Sequence, residues 1–115
     1  MLTISPAQMA AFQGLSDDEF HARLFAFLCE EFPEHAADRG GVAAVVEVGV
    51  SDARDAGLRG ERAIAIYVMI AFLMGMEVKD DPRFIANVRE SGASEGEKIA
   101  WMEGWIDAVA AALDS

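Results

Sequence analysis

Apolar residues along the chain recur at helical spacing almost throughout. After Ser16 the positions Phe20, Leu24, Phe27 and Leu28 form one stripe, with Phe25, Cys29 and Phe32 on an adjoining face. An apolar surface that wide implies burial against more than one neighbour. Ser16 to Glu19, "SDDE", has the form of a capping box, and Pro33 stops the helix near Glu31. Upstream, Ser5-Pro6 predicts a short helix carrying Met9 and Phe12 and ending at Gly14. The run from Val42 to Ala56 is β-branched enough for a strand, but Val42, Val45, Val46 and Val50 fit a helical stripe and no second strand-like segment is there to pair. It reads as a helix closed by Gly57 in the left-handed conformation.

Gly60 opens the next helix, with Glu61 in its first turn, and Gly75 ends it after Leu73 or Met74. Its 14 residues from Ala63 to Met76 are all uncharged. A membrane span needs about 20 apolar residues, and no basic cluster flanks this one. Membrane insertion is therefore not expected. Apolar on all sides, the segment at about 60–75 reads as a central helix covered by its neighbours. Tyr67 is expected at the edge of the core, ring buried and hydroxyl in water. Methionine favours adaptable binding surfaces, so Met76 joins Tyr67 as a candidate contact residue on a partly exposed flank.

"KDDP" breaks the chain, and Pro82 starts a short helix through Arg89 with Phe84, Ile85 and Val88. A second capping box, Ser94 to Glu97, is weakened by Gly96. The last helix, Glu95 to Leu113, carries Ile99, Met102, Ile106, Val109 and Leu113 at alternating spacings of 3 and 4. The expectation is an all-α, single-domain bundle over 1–115, five or six helices packed round the central one.

Composition adds constraints. Nine Lys and Arg against 20 Asp and Glu leave a net charge of −11, which repels phosphate backbones and anionic lipid and argues against a nucleic-acid partner. The acidity either keeps an apolar chain soluble or steers a basic partner. Cys29 is the sole cysteine, lies among apolar residues and reads as a small core hydrophobe. "MLTISPAQ" lacks the pattern of a signal peptide, so the expected compartment is the cytoplasm.

Chemistry is sparse. His21 and His35 stand fourteen apart on different elements, and no metal-ligand spacing or phosphate-binding loop is present. No catalytic residue, cofactor or metal ligand is assigned. Asp52, Arg54, Asp55, Arg59, Glu61 and Arg62 crowd one interhelical turn and are expected to pair with one another at the surface.

Several short motifs in order, namely "MLTISPAQMAAF", the "FLCEEFPE" helix end, Gly57 with Glu61, Arg62 and Tyr67, "FLMG" followed by Asp81-Pro82, and the "GEKI" helix, resemble small bacterial proteins encoded beside type VI secretion spike and effector-adaptor genes. That resemblance implies an accessory role in effector loading, as a co-chaperone or adaptor-assisting protein. The matching positions Phe32, Pro33, Gly57, Glu61, Arg62, Tyr67, Gly75, Asp81 and Pro82 read as caps, turn formers and a tyrosine at the edge of the core. The chain departs from the pattern at Gly60, where Ser or Thr is expected, and in "RFIANV" after Pro82. An immunity protein that neutralises a cognate toxin is the alternative, because an acidic surface suits a basic enzyme. The partner would be an effector, an adaptor or a toxin, with a homodimer as a further alternative.

Trp101 and Trp105 lie i, i+4 on the last helix with Gly104 between them, either as a contact surface or as a widened core face. Replacing both with Ala separates the two: a contact surface loses partner binding and keeps its fold, whereas a core pair unfolds.

Overall fold

The computed structural model describes residues 16–34, 37–90 and 92–114, apart from the side chains of Met76, Val109, Ala110, Leu113 and Asp114. The helix expected at Ser5-Pro6, with Met9, Phe12 and Gly14, lies outside these residues, as do His35, the Val109 and Leu113 end of the last stripe, and the Met76 side chain.

Within them the chain is all-α. Helices α1 (Asp17–Glu31), α2 (Arg39–Asp55) and α3 (Glu61–Met74) are followed by a 3₁₀ turn at Met76–Asp80. A short α4 (Pro82–Phe84) runs on into a π-helical turn at Ile85–Arg89, and α5 (Glu95–Asp114) completes the bundle. No β-strand is present among the described residues. The Val42 to Ala56 run is helical, as its stripe requires.

The ends are set by chemistry visible in the sequence. Ser16 Oγ accepts from the Glu19 N–H, and the Glu19 carboxylate accepts from the Ser16 N–H, a complete capping box. Ser94 and Glu97 form the second box with both bonds present, so Gly96 does not prevent it. α2 ends in a Schellman motif: Gly57 at φ 91° lets its N–H reach the Arg54 carbonyl while Leu58 N–H reaches Ala53. Both Leu58 and Ala53 are fully buried, which adds the apolar contact that usually accompanies this cap.

α3 is the centre. Every residue from Ala63 to Ala71 is buried. It packs on α2 and α5, while α1 packs on α2. Ring contact between Phe32 and Phe72, centroids 6.0 Å apart, ties the end of α1 to the end of α3. At Gly49 α2 approaches α3 closely, since a Cβ there would stand 3.2 Å from Val68 Cγ2. Cys29 is half-buried against the core.

The start of α3 lacks a side-chain cap of its own at Gly60. The Glu95 carboxylate, from the first turn of α5, supplies one by accepting from the Arg59 N–H at 2.6 Å and the Gly60 N–H at 3.0 Å. A Cβ on residue 60 would fall 2.5 Å from Glu95 Oε2, so glycine there makes room for a cap from another helix. The absence of the expected Ser or Thr has this physical reason.

The charged turn is arranged differently from expectation. Among the described residues its ion pairs run outward to other elements: Arg54 to Asp17 at 2.9 Å, Arg62 to Glu103 at 2.8 Å, and Asp52 to Lys79 at 3.8 Å. Arg59 donates to the Arg54 carbonyl instead of to a carboxylate. Such exposed pairs hold register between helices more than they add stability.

Lys98 is 8% exposed, the one buried charged residue among those described. A Cβ on Gly57 would lie 4.0 Å from its Nζ, which places the ammonium at the C-terminal, negative pole of α2. Replacing Glu95 with Ala should lower stability by about 1 kcal/mol, the usual worth of a helix cap, with Gln costing less; urea denaturation measures both.

Candidate functional site

The residue types that favour protein contact converge where α4 meets α5. Phe84, carried inward by α4, is fully buried and serves as the hub of an aromatic cluster. Tyr67 from α3 meets it edge-on with centroids 5.2 Å apart. Trp101 and Trp105 from α5 pack on its other side at 5.9 and 5.3 Å, and their own centroids are 5.0 Å apart.

Asp81 organises the entry to this cluster. Its carboxylate caps α4 by accepting from the Arg83 N–H at 2.9 Å, and its other oxygen pairs with the Arg83 guanidinium at 3.3 Å. The Arg83 side-chain bond holds the Asp81 carboxyl below its ordinary value. Arg83 in turn lies over the Trp105 ring, its guanidinium carbon 5.6 Å from the centroid, a cation–π distance.

Both tryptophans are half-buried and belong to the partly covered shell around the core. One ring surface rests on Phe84 while part of each indole stays open to solvent. Gly104 between them is exposed, and a Cβ placed on it would meet no atom within 4 Å. The pair is therefore an edge of the core that reaches the surface, a mixture of the two alternatives its sequence offered.

Tyr67 corrects an expectation. It is 1% exposed, and its hydroxyl is not in water but accepts from Arg89 Nη1 at 3.5 Å. The π-helical turn at Ile85–Arg89 brings Arg89 there. Burial raises the Tyr67 pKa above 10.0, opposed by the Arg89 hydrogen bond and charge and reinforced by Asp52 and Asp55. Tyr67 thus supports the surface from beneath, through Phe84, and cannot itself touch a partner. Nothing in the spacing marks Phe84 as the hub, because a single Phe after a proline turn reads as ordinary core.

Grooves open on the surface of the bundle, two of them in places that bear on binding. One of about 420 Å³ lies between α1 and α2, lined by Asp18, His21, Phe25, Val46 and Glu47 among others. In it His21 Nδ1 is 2.6 Å from the Asp17 carbonyl oxygen. The other, of about 400 Å³, is lined by Met74, Glu77, Val78, Asp80 and Asp81 at the end of α3. Among the described residues no group of three or more His, Cys, Asp or Glu is arranged to hold a metal ion. No described helix is long and apolar enough to cross a membrane. Compared with protein-family models, characterised proteins and solved structures, the chain finds no match.

Tyr67 is the sole tyrosine, so its ionisation can be followed directly by absorbance. In the folded chain the phenolate signal should rise above pH 10.0, and in urea near it. The unfolded chain releases this proton first, so stability is unaffected below that value and falls as pH rises beyond it. Trp105→Ala uncovers Phe84 and should cost about 2 kcal/mol in urea denaturation, less than the loss of a fully buried aromatic.

Proposed function

We propose that the chain is a small non-enzymatic protein-binding factor, acting as a co-chaperone or adaptor-assisting protein for type VI secretion effectors. The binding part of this reading is carried by one observation: Trp101 and Trp105 stand half-open on α5, fixed from below by Phe84 and flanked by an exposed Gly104. Rigid tryptophans concentrate binding energy because they bury large area while losing few rotamers. The open position at Gly104 leaves space for a partner's backbone or side chain to approach between them. The secretion part rests on the resemblance of the short motifs in their order along the chain.

A second reading, a toxin-neutralising immunity protein, is favoured by the net charge of −11, which would steer association with a basic enzyme.

Gly104 offers a test that spares the fold. Gly104→Gln places a side chain where nothing else stands and improves helix propensity, so stability should rise by about 0.5 to 1 kcal/mol. Recovery of a type VI effector adaptor co-expressed with the chain should be strong with the parent protein and lost with Gly104→Gln. Retention of the adaptor by that variant would remove the tryptophan face from the interface. Protection of cells against a neighbouring toxin, with tight toxin binding and no adaptor recovery, would replace the co-chaperone reading with the immunity one.

A further inference from the structure

The notch at the end of α3 joins an exposed apolar group to an unbalanced negative field. Met74 is 40% exposed, one of two large hydrophobic residues so exposed among those described. It forms the wall of the depression of about 400 Å³, with buried Val78 as an apolar floor and Glu77, Asp80 and Asp81 around the rim.

Three features make this place negative. The C-terminal pole of α3 carries the negative end of the helix dipole, and no basic residue occupies its last turn. Glu77 lies against that same pole: a Cβ on Gly75 would stand 2.8 Å from its Oε1. Carboxylates are ordinarily disfavoured there. The nearby cations are already engaged, Lys79 with Asp52 away from the notch and Arg83 with the rim residue Asp81 while lying over Trp105. Asp81 is thereby neutralised, which leaves Glu77 and Asp80 facing the notch.

We propose that this notch receives a lysine or arginine side chain from a cationic amphipathic helix of a protein partner. The aliphatic stem lies on Met74 and Val78, and the charge sits between Glu77, Asp80 and the α3 pole. Thioether and methylene surfaces adapt to such a stem without demanding one shape. The complementarity is specific to positive charge, because an acidic segment would meet the carboxylates and the helix pole together. Asp81 and Arg83 connect the notch to Trp105, so one bound helix could span both. The proposal rests on the reading that the chain binds another protein and adds the chemistry of that partner.

The test uses the full chain with methyl-labelled methionine, and as probe an amphipathic Leu/Lys peptide of about 14 residues at helical spacing. The expected result is a shift of the Met74 methyl resonance on titration, assigned by Met74→Leu. Affinity should fall roughly three- to tenfold in Glu77→Gln/Asp80→Asn, with a shallower salt dependence. This variant should fold at least as well as the parent, since it removes negative charge from a negative pole. A matched Leu/Glu peptide should leave Met74 unmoved. The proposal is overturned if the Met74 resonance stays fixed while the peptide binds elsewhere, if the double variant binds the peptide as the parent does, or if no Leu/Lys peptide binds. Separately, retention of the natural adaptor by the double variant but not by Gly104→Gln would sink the notch and leave the tryptophan surface standing.

Discussion

A helix with no polar face is tolerable in water only when other elements cover it, and α3 imposes that condition on the whole chain. From Ala63 to Ala71 no residue of it reaches solvent appreciably. Covering that surface takes α2, α5 and the turn between α3 and α4, and each contributes in the way its sequence allows. α2 approaches closely through Gly49, α5 brings Met102 and Ile106, and α4 inserts Phe84. The acidic shell follows from the same condition: a chain this apolar needs charge outside to remain dispersed.

The surface features are by-products of closing over α3. Phe84 must be inside, so something must roof it, and Trp101 and Trp105 do so from α5. Because the roof is only partial, aromatic surface remains at the boundary. At the other end the helix stops at Gly75 with φ 102°, and the chain turns through the 3₁₀ segment and leaves Met74 uncovered. Rigid aromatic surface and soft thioether surface therefore lie on either side of the Asp81–Arg83 pair. That pair links two patches of different character without closing either.

The parts of this architecture that are governed by local rules were legible in the residues. Both capping boxes, the Gly57 stop, the Pro33 and Pro82 boundaries and the apolar α3 depend on neighbours within a few positions, and spacing alone identifies them. What spacing cannot supply is pairing across long separations. The Glu95 cap on Gly60, the outward ion pairs of Arg54 and Arg62, and the burial of Lys98 over the end of α2 each depend on where another helix docks. Tyr67 shows the same limit at the candidate site. A tyrosine on a helical wheel suggests a wet hydroxyl, but the π-turn that delivers Arg89 to it carries no signature in a single sequence.

The cap on α3 bears on how the chain is made. Glu95 lies 36 residues further along than Arg59, so on the ribosome the most apolar helix emerges before the group that holds the two N–H groups just ahead of it. Until α5 has been synthesised and docked, α3 has neither its cap nor the cover that Met102 and Ile106 provide. The nascent chain thus passes through a stage in which its stickiest segment is exposed and its last helix is missing. Truncation near the C-terminus would prolong that stage, with aggregation or chaperone capture as the physical outcome.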